Sequence, residues 1–433
     1  MTALGVASMT LAITPVSRAA DVNYFSASKG ILFVQTNAAA PQLKTGLPYL
    51  FQAAVVAEPG GLSSASMQWP FGSRALNQRL PAGPYTYTDR QPTQELLDLF
   101  YPNGNFTFTL NTVHDGNFIV VLNLPSDINP VAPTLANFTA AQSINSSNNF
   151  TLQWGPFFTG TTNDFIHVRI DSPTGSVFRT AFAPGLPGAL NAASNSVVIP
   201  AGTLPSGHVL AGRIIFAKIL STNVTAYPGA KGAVSYYTQT EFFIATAGSG
   251  DLVPPRLVSS GPGDGATGVA MNSPLAMNFS EPTRQSLSVF INGTIAGRTF
   301  AWNPDGTTLV ATPTSNWPPS TTIGWVLNPS DALPFFGDLN NNPLAPETTL
   351  LFTTGTNAPS PAAPLLKEPM RLVNGRFQFK LMGESNRTYA AEATTNFVNW
   401  TSLGTNIAFS GTLQFLDTNA PVHPHRFYRG FAP

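Results

Sequence analysis

The segment "FIHVRIDSPTGSVFRTA", residues 165–181, sets the terms for the whole chain. Ile166, Val168 and Ile170 alternate with His167 and Arg169, the turn formers from Asp171 to Gly175 interrupt the run, and Val177 and Phe178 resume it. A period of two puts every second side chain on one face, which marks a half-buried strand and not a helix. Two such runs across a tight turn make a hairpin. The pattern recurs. "FTFTLNT" and "NFIVVLNL" flank His114-Asp115-Gly116, "NFTLQW" places Phe150, Leu152 and Trp154 on one face, and "SVVIPAGTLPSGHVLAGRIIFAKIL" supplies two more strands. Gly (36) and Pro (39) work against helices throughout. The one helical pattern runs from about Thr93 to Phe100 and ends before Pro102 and Gly104. The expected fold class is all-β.

Charge and cysteine content narrow the function classes. Only 10% of residues are charged, against roughly 25% in an ordinary soluble protein. Lys plus Arg and Asp plus Glu are equal at 21 each, so the chain as a whole carries no footprint for nucleic acid or an anionic membrane. With no cysteine, disulfides, thiolate zinc sites, iron–sulfur clusters and cysteine nucleophiles are excluded. No cofactor is expected. The opening "MTALGVASMTLAITPVSRAADVNYF" has an apolar stretch from about Ala3 to Val16, followed by small residues at Ser17 and Ala19. It reads as a secretory signal over residues 1–19, although no Lys or Arg precedes the apolar stretch. Secretion through the general pathway is expected, giving an extracellular or cell-surface product that does not span the membrane.

Four units follow. Residues 21–131 form an N-terminal β-rich domain bounded by the proline-rich "PSDINPVAPTL". Residues 132–247 carry about seven short strands with turns every 8–12 residues, which argues for an immunoglobulin-like sandwich; the Trp154 strand and "AGRIIFAKI" resemble a divergent fibronectin type III-like domain. In residues 252–355, "PPRLVSSGPGDGATGVAMNSPLAMNFSEPT" and the closing "GDLNNNPLAPETTLLFTTG" are similar to the bacterial Ig-like domains of S-layer and other surface proteins, with Asn341 where the family usually has Gly. A spacer, "TNAPSPAAPLL" (356–366), has three prolines in eleven residues. Residues 367–433 resemble a small C-terminal β-module of secreted bacterial proteins, on Tyr389, Glu392, Asn396, Trp400, Phe415, Asp417 and the "RFYR" of Arg426 to Arg429. The architecture expected is tandem immunoglobulin-like and fibronectin-like β-sandwiches with a small C-terminal β-module.

Signatures of chemistry are sparse. Asp338, Asn340 and Asn342 alternate as a calcium loop often begins, but position six is Pro343 and position twelve Thr349, where an EF-hand needs Gly and a bidentate carboxylate. Asx side chains also form turns cheaply, so a turn is expected. There is no G-x-S-x-G, H-E-x-x-H or G-x-x-x-x-G-K-[ST]. The five histidines fall on a hairpin turn (His114), an alternating strand (His167), a Gly turn (His208) and a loop (His423, His425). Glu95 and Asp98 form the closest local acid pair and read as the solvated face of the short helix; Glu281 reads as part of the Ig-like pattern. Aromatic rings in turn-rich contexts could stack on sugars. Tyr85 and Tyr87 are the first candidates, then Trp317, while Trp154, Trp302, Trp325 and Trp400 read as core.

The expectation is a non-enzymatic secreted or cell-surface protein, a spacer and adhesion scaffold with no catalytic residues and no bound metal. Its partner would be a cell-surface or extracellular-matrix protein or a polysaccharide. A carbohydrate-binding accessory protein and a hydrolase with an unrecognised site are the alternatives, and fold alone does not choose among them.

Overall fold

The computed structural model describes residues 20–78, 83–181, 186–284, 289–291 (backbone only), 297–327, 336–344, 349–356 and 363–433. The expected signal segment 1–19 and most of the expected spacer lie outside them. The described chain is all-β with tandem sandwiches.

The first half supplies β1 (Val22–Gln35), β2 (Gln42–Leu43), β3 (Tyr49–Ala57), β4 (Leu62–Trp69), β5 (Gly72–Gln78), β6 (Tyr85–Gln91), β7 (Gly104–Thr112) and β8 (Asn117–Leu124). A helix, α1 (Gln94–Phe100), separates β6 from β7, and Thr93 caps its start by accepting from the Leu96 amide. The chain continues through β9 (Phe150–Gln153), β10 (Phe165–Ser172), β11 (Gly175–Arg179), β12 (Leu190–Asn191), β13 (Ser196–Ile199), β14 (Val209–Asn223) and β15 (Lys231–Ala245). One sheet runs through most of these, in the order β11-β10-β14-β15-β1-β3-β6-β5-β4-β7-β8. Its centre is a parallel pairing of β1 with β15, from Tyr24 opposite Lys231 to Gln35 opposite Phe242. The hydrogen-bonded sheet therefore continues across residues 131/132. Gln35 also bonds the Leu135 amide and carbonyl, and the Thr238 hydroxyl donates to the Pro130 carbonyl, which ties the intervening segment to the sheet.

Strand alternation separates the two faces of this sheet. On one face, Phe25, Ala27, Phe51, Ala53, Val55, Val234 and Tyr236 close an apolar core with β4, β7 and β8. Farther along the same face, Ile166, Val168, Ile170, Ile214, Phe216, Phe242 and Ile244 pack against Leu152, Trp154 and Ile199, beneath the two-stranded β9–β13 sheet. The opposite face carries a smaller apolar cluster of Leu32, Leu50, Phe165, Ala217 and Tyr237 set among polar side chains.

The third unit is a sandwich of two four-stranded sheets. Leu275, Met277, Leu309, Trp325, Phe336 and Phe352 fill the space between them. In the last unit two three-stranded sheets enclose Phe379, Leu381, Tyr389, Ala391 and Phe415. Among the described residues no helix is long and apolar enough to cross a membrane.

Candidate functional site

The uncovered face of the large sheet forms a trough of about 310 Å³ across β10, β14, β15, β1, β3 and β6. That volume lies at the lower end of the range for small-molecule sites, roughly 300–1,000 Å³. Strand register builds it row by row. Phe165, Ala217, Tyr237, Gly30 and Leu50 are successive cross-strand neighbours, and so are Ile219, Ser235, Ser28 and Gln52. Gly30 is required here: a Cβ on it would meet the Tyr237 ring at 2.3 Å, so the ring lies flat on the backbone of β1. Around this apolar centre the lining is hydroxyl and amide, from Tyr24, Ser26, Ser28, Gln52, Thr86 and Gln239. Thr88 extends the Gln52 row, and its buried hydroxyl has no hydrogen-bond partner among the described residues.

One end of the trough is cationic. Arg169 and Arg213 line it, and exposed Arg179 lies just beyond, opposite Arg169 on the edge strand β11. Like charges directly opposite across strands are destabilising, and a single buried carboxylate serves the row. Asp171 accepts from Arg169 Nε at 2.7 Å and from Arg213 Nη2 at 2.6 Å. Burial, then the neighbouring Arg213, depresses the Arg169 pKa. Glu241 lies opposite Arg213 but is claimed by Lys44 Nζ at 2.6 Å. Burial opposes its ionisation, yet Lys44, Arg90 and Arg213 outweigh that and hold its pKa below the ordinary value. In the next row, His167 is pushed down to about 4 by burial. Its imidazole is therefore neutral at pH 7, with Nδ1 3.0 Å from the Ala181 carbonyl.

Tyr85 and Tyr87 project from the other face of β6. They stand opposite Val55 and Ala53 and pack against the N-terminal core. The Tyr85 hydroxyl donates to the Leu62 carbonyl at 2.8 Å. The Tyr87 hydroxyl meets Tyr101 at 2.6 Å, and Tyr101 donates to Asp89. Thr86, between them in sequence, faces the trough. Trp317, a candidate platform on sequence, is instead buried, with its indole N–H on the Ser273 carbonyl, because the turn around it folds inward over the Ig-like core. Asp98 is more than a solvated helix residue: buried Lys29 reaches it at 2.5 Å. Burial is the main cause of a lowered Lys29 pKa, which Asp98 partly restores. Trp400 is half-buried rather than core. The Arg429 guanidinium lies 4.0 Å from its ring centroid and pairs with Glu392, so these C-terminal pattern residues form one stacked network.

The Asp338 loop is a turn, and it is also a joint. Asp338 Oδ1 accepts from the amides of Asn340 and Asn342, and Oδ2 from the Asn342 side chain. Asn342 is fully buried. It bonds the Val209 amide at 3.0 Å and the Asp251 carbonyl at 2.9 Å, which fastens the third unit to the second. Oxygen atoms of Asp251, Glu281 and Asp338 lie within 4.8 Å of one another. Hard carboxylate donors of this kind suit calcium, and they are the residues of the described chain best placed to hold a cation. Glu281 sits in the turn-rich edge that the sequence pattern assigns it. Burial, then Asp338 and Asp251, raises its pKa.

Residues 251–354 match the profile of a bacterial Ig-like domain, about a quarter of the chain. No curated protein matches the sequence. Among solved structures, an L,D-transpeptidase from Mycobacterium smegmatis is similar over 35% of this chain and 73% of its own, at 17% identity and a TM-score of 0.18. The ICAM-5 D1-D4 ectodomain fragment is similar over 94% and 98%, at 13% identity and 0.18. The S-layer protein rSbsC is similar over 89% and 66%, at 9% identity and 0.16. Likenesses this weak carry neither the chemistry nor the partners of those proteins across to this chain.

Proposed function

We propose that the chain is a non-enzymatic, exported modular protein that serves as a spacer and adhesion scaffold at the cell surface. The observation that carries this reading is the joint at Asn342. A spacer must hold its modules in a fixed relation, and a buried side chain that bonds Val209 on one unit and Asp338 on the next contributes to that. The bacterial Ig-like match over residues 251–354 supports the same reading. Protease treatment of intact producing cells tests it. Digestion without lysis supports surface display, and protection until lysis overturns it.

The trough favours a second reading, that of a carbohydrate-binding accessory protein. Its mixture of one flat aromatic ring, apolar neighbours and a fringe of hydroxyl and amide groups is the composition that pyranose rings require, since they present both C–H faces and hydroxyl edges. On this reading the trough, and not the Tyr85/Tyr87 pair, carries the ligand.

A further inference from the structure

We propose that the trough binds an acidic polysaccharide, with the Arg179–Arg169–Arg213 row as its carboxylate-recognising end. This rests on the carbohydrate-binding reading above and names its ligand class.

The row is costly to the free protein. The whole chain is neutral and charge-poor, yet three arginines are aligned side by side on adjacent strands. Asp171 satisfies two of them, through Arg169 Nε and Arg213 Nη2. Glu241, the next acid along, is committed to Lys44 and to the Gln239 amide. Arg179 is exposed and has no ion-pair partner among the described residues. The row therefore holds more positive charge than its own carboxylates neutralise, in a place where cross-strand repulsion makes that unfavourable. A bound anion removes the repulsion. Guanidinium groups match a planar carboxylate in a fork geometry that lysine cannot reproduce.

The rest of the trough favours a saccharide over other anions. An acidic peptide recognised by a β-protein adds to a sheet edge, where backbone groups are free; that edge is β11, whereas the strands that line the trough, β10, β14, β15, β1, β3 and β6, are interior with partners on both sides. Nucleic acid needs bases stacked on several exposed rings along a basic groove, whereas the Phe165 and Tyr237 rings here are buried and the arginines of the lining stand at one end. What remains beside the arginines is a ladder of Ser28, Ser235, Gln52 and Thr86. These groups suit the hydroxyls of a sugar chain lying across the strands.

The test is retention of the full chain on immobilised polygalacturonate, with dextran sulfate, neutral dextran and a DNA oligonucleotide as parallel arms. Arg179→Gln, an exposed substitution, and Arg169→Gln are run beside wild type, and a thermal melt of each confirms folding. Polygalacturonate should retain the wild type, neutral dextran should not, and each substitution should weaken retention by about tenfold. That is about 1.4 kcal/mol, the scale of one charge-assisted contact. Stronger retention on dextran sulfate than on polygalacturonate would overturn carboxylate selectivity. Equal binding to neutral dextran, unchanged by both substitutions, would overturn the arginine row and leave the carbohydrate reading in place. Binding to DNA alone, or to none of the polymers, would overturn both.

Discussion

The arginine row of the trough and the acid cluster at the Asp338 joint are mirror cases within one neutral chain. In the first, three arginines stand in a row and one buried carboxylate, Asp171, bonds two of them. In the second, three carboxylates converge, and Arg284 Nε donates to the backbone carbonyl of Asp338. The row lies within a continuous sheet, with Arg169 and Arg213 on strands held on both sides. The cluster lies in a turn, where Asp338 accepts three N–H donors. Placement separates the two: the sheet holds like charges side by side, and the turn commits its acceptors to backbone hydrogen bonds.

The contrast breaks most severely at Asp171. Replacing it with Ala leaves Arg213, 7% exposed, without its carboxylate. Removal of one partner from a buried pair costs about 3–5 kcal/mol, so equilibrium denaturation should show a larger loss for Asp171→Ala than for any single substitution at the joint. Asn342→Ala is the counterpart there. It removes bonds to Val209, Asp251 and Asp338 from a fully buried site. A loss of about 1–3 kcal/mol is expected, together with faster limited proteolysis near residues 247–251; unchanged cleavage would mean that the joint does not fix the units.

Smaller effects sharpen the contrast. Tyr87→Phe deletes the hydroxyl contact to Tyr101 and should cost about 0.5–1.5 kcal/mol in a thermal or denaturant melt while leaving polysaccharide retention unchanged. The smallest effect is a pH dependence at Glu281. Its folded-state pKa is raised, so its favourable contribution is complete below the unfolded pKa of about 4.3 and is lost as pH rises through the folded value. Comparing melts of wild type and Glu281→Gln from pH 4 to 7 should show the variant gaining on wild type as pH rises. A constant difference would mean that the three carboxylates do not repel one another.

Much of the scaffold is legible in the sequence because its signals are local. The alternation of Ile166, Val168 and Ile170, the hairpin turn at His114 to Gly116, the short helix from about Thr93 and the turn at Asp338 all depend on residues a few positions apart, and the structure forms each one. The trough is not legible, because it is assembled from pairings between distant segments. β1 meets β15 some 200 positions later in the chain, a register that no local pattern specifies. Alternation does place His167 and Arg169 on the polar face of their strand. Only the pairing of β10 with β11 and β14 brings Arg179 and Arg213 beside them. Asp251 and Glu281 likewise reach Asp338 only through folding. Tyr85 and Tyr87 stand in a turn-rich stretch of sequence, whereas the strand phase of β6 directs both rings to the core and Thr86 to the trough.

The central claim is that one sheet spans both N-terminal cores and binds ligand on its uncovered face. Hydrogen–deuterium exchange with and without oligogalacturonate tests it most directly. Slow exchange is predicted along 22–35 and 231–245 in the free protein, with added protection on ligand binding in 165–179 and 209–223. Fast exchange along 22–35 and 231–245, or ligand protection confined to 252–433, would contradict it.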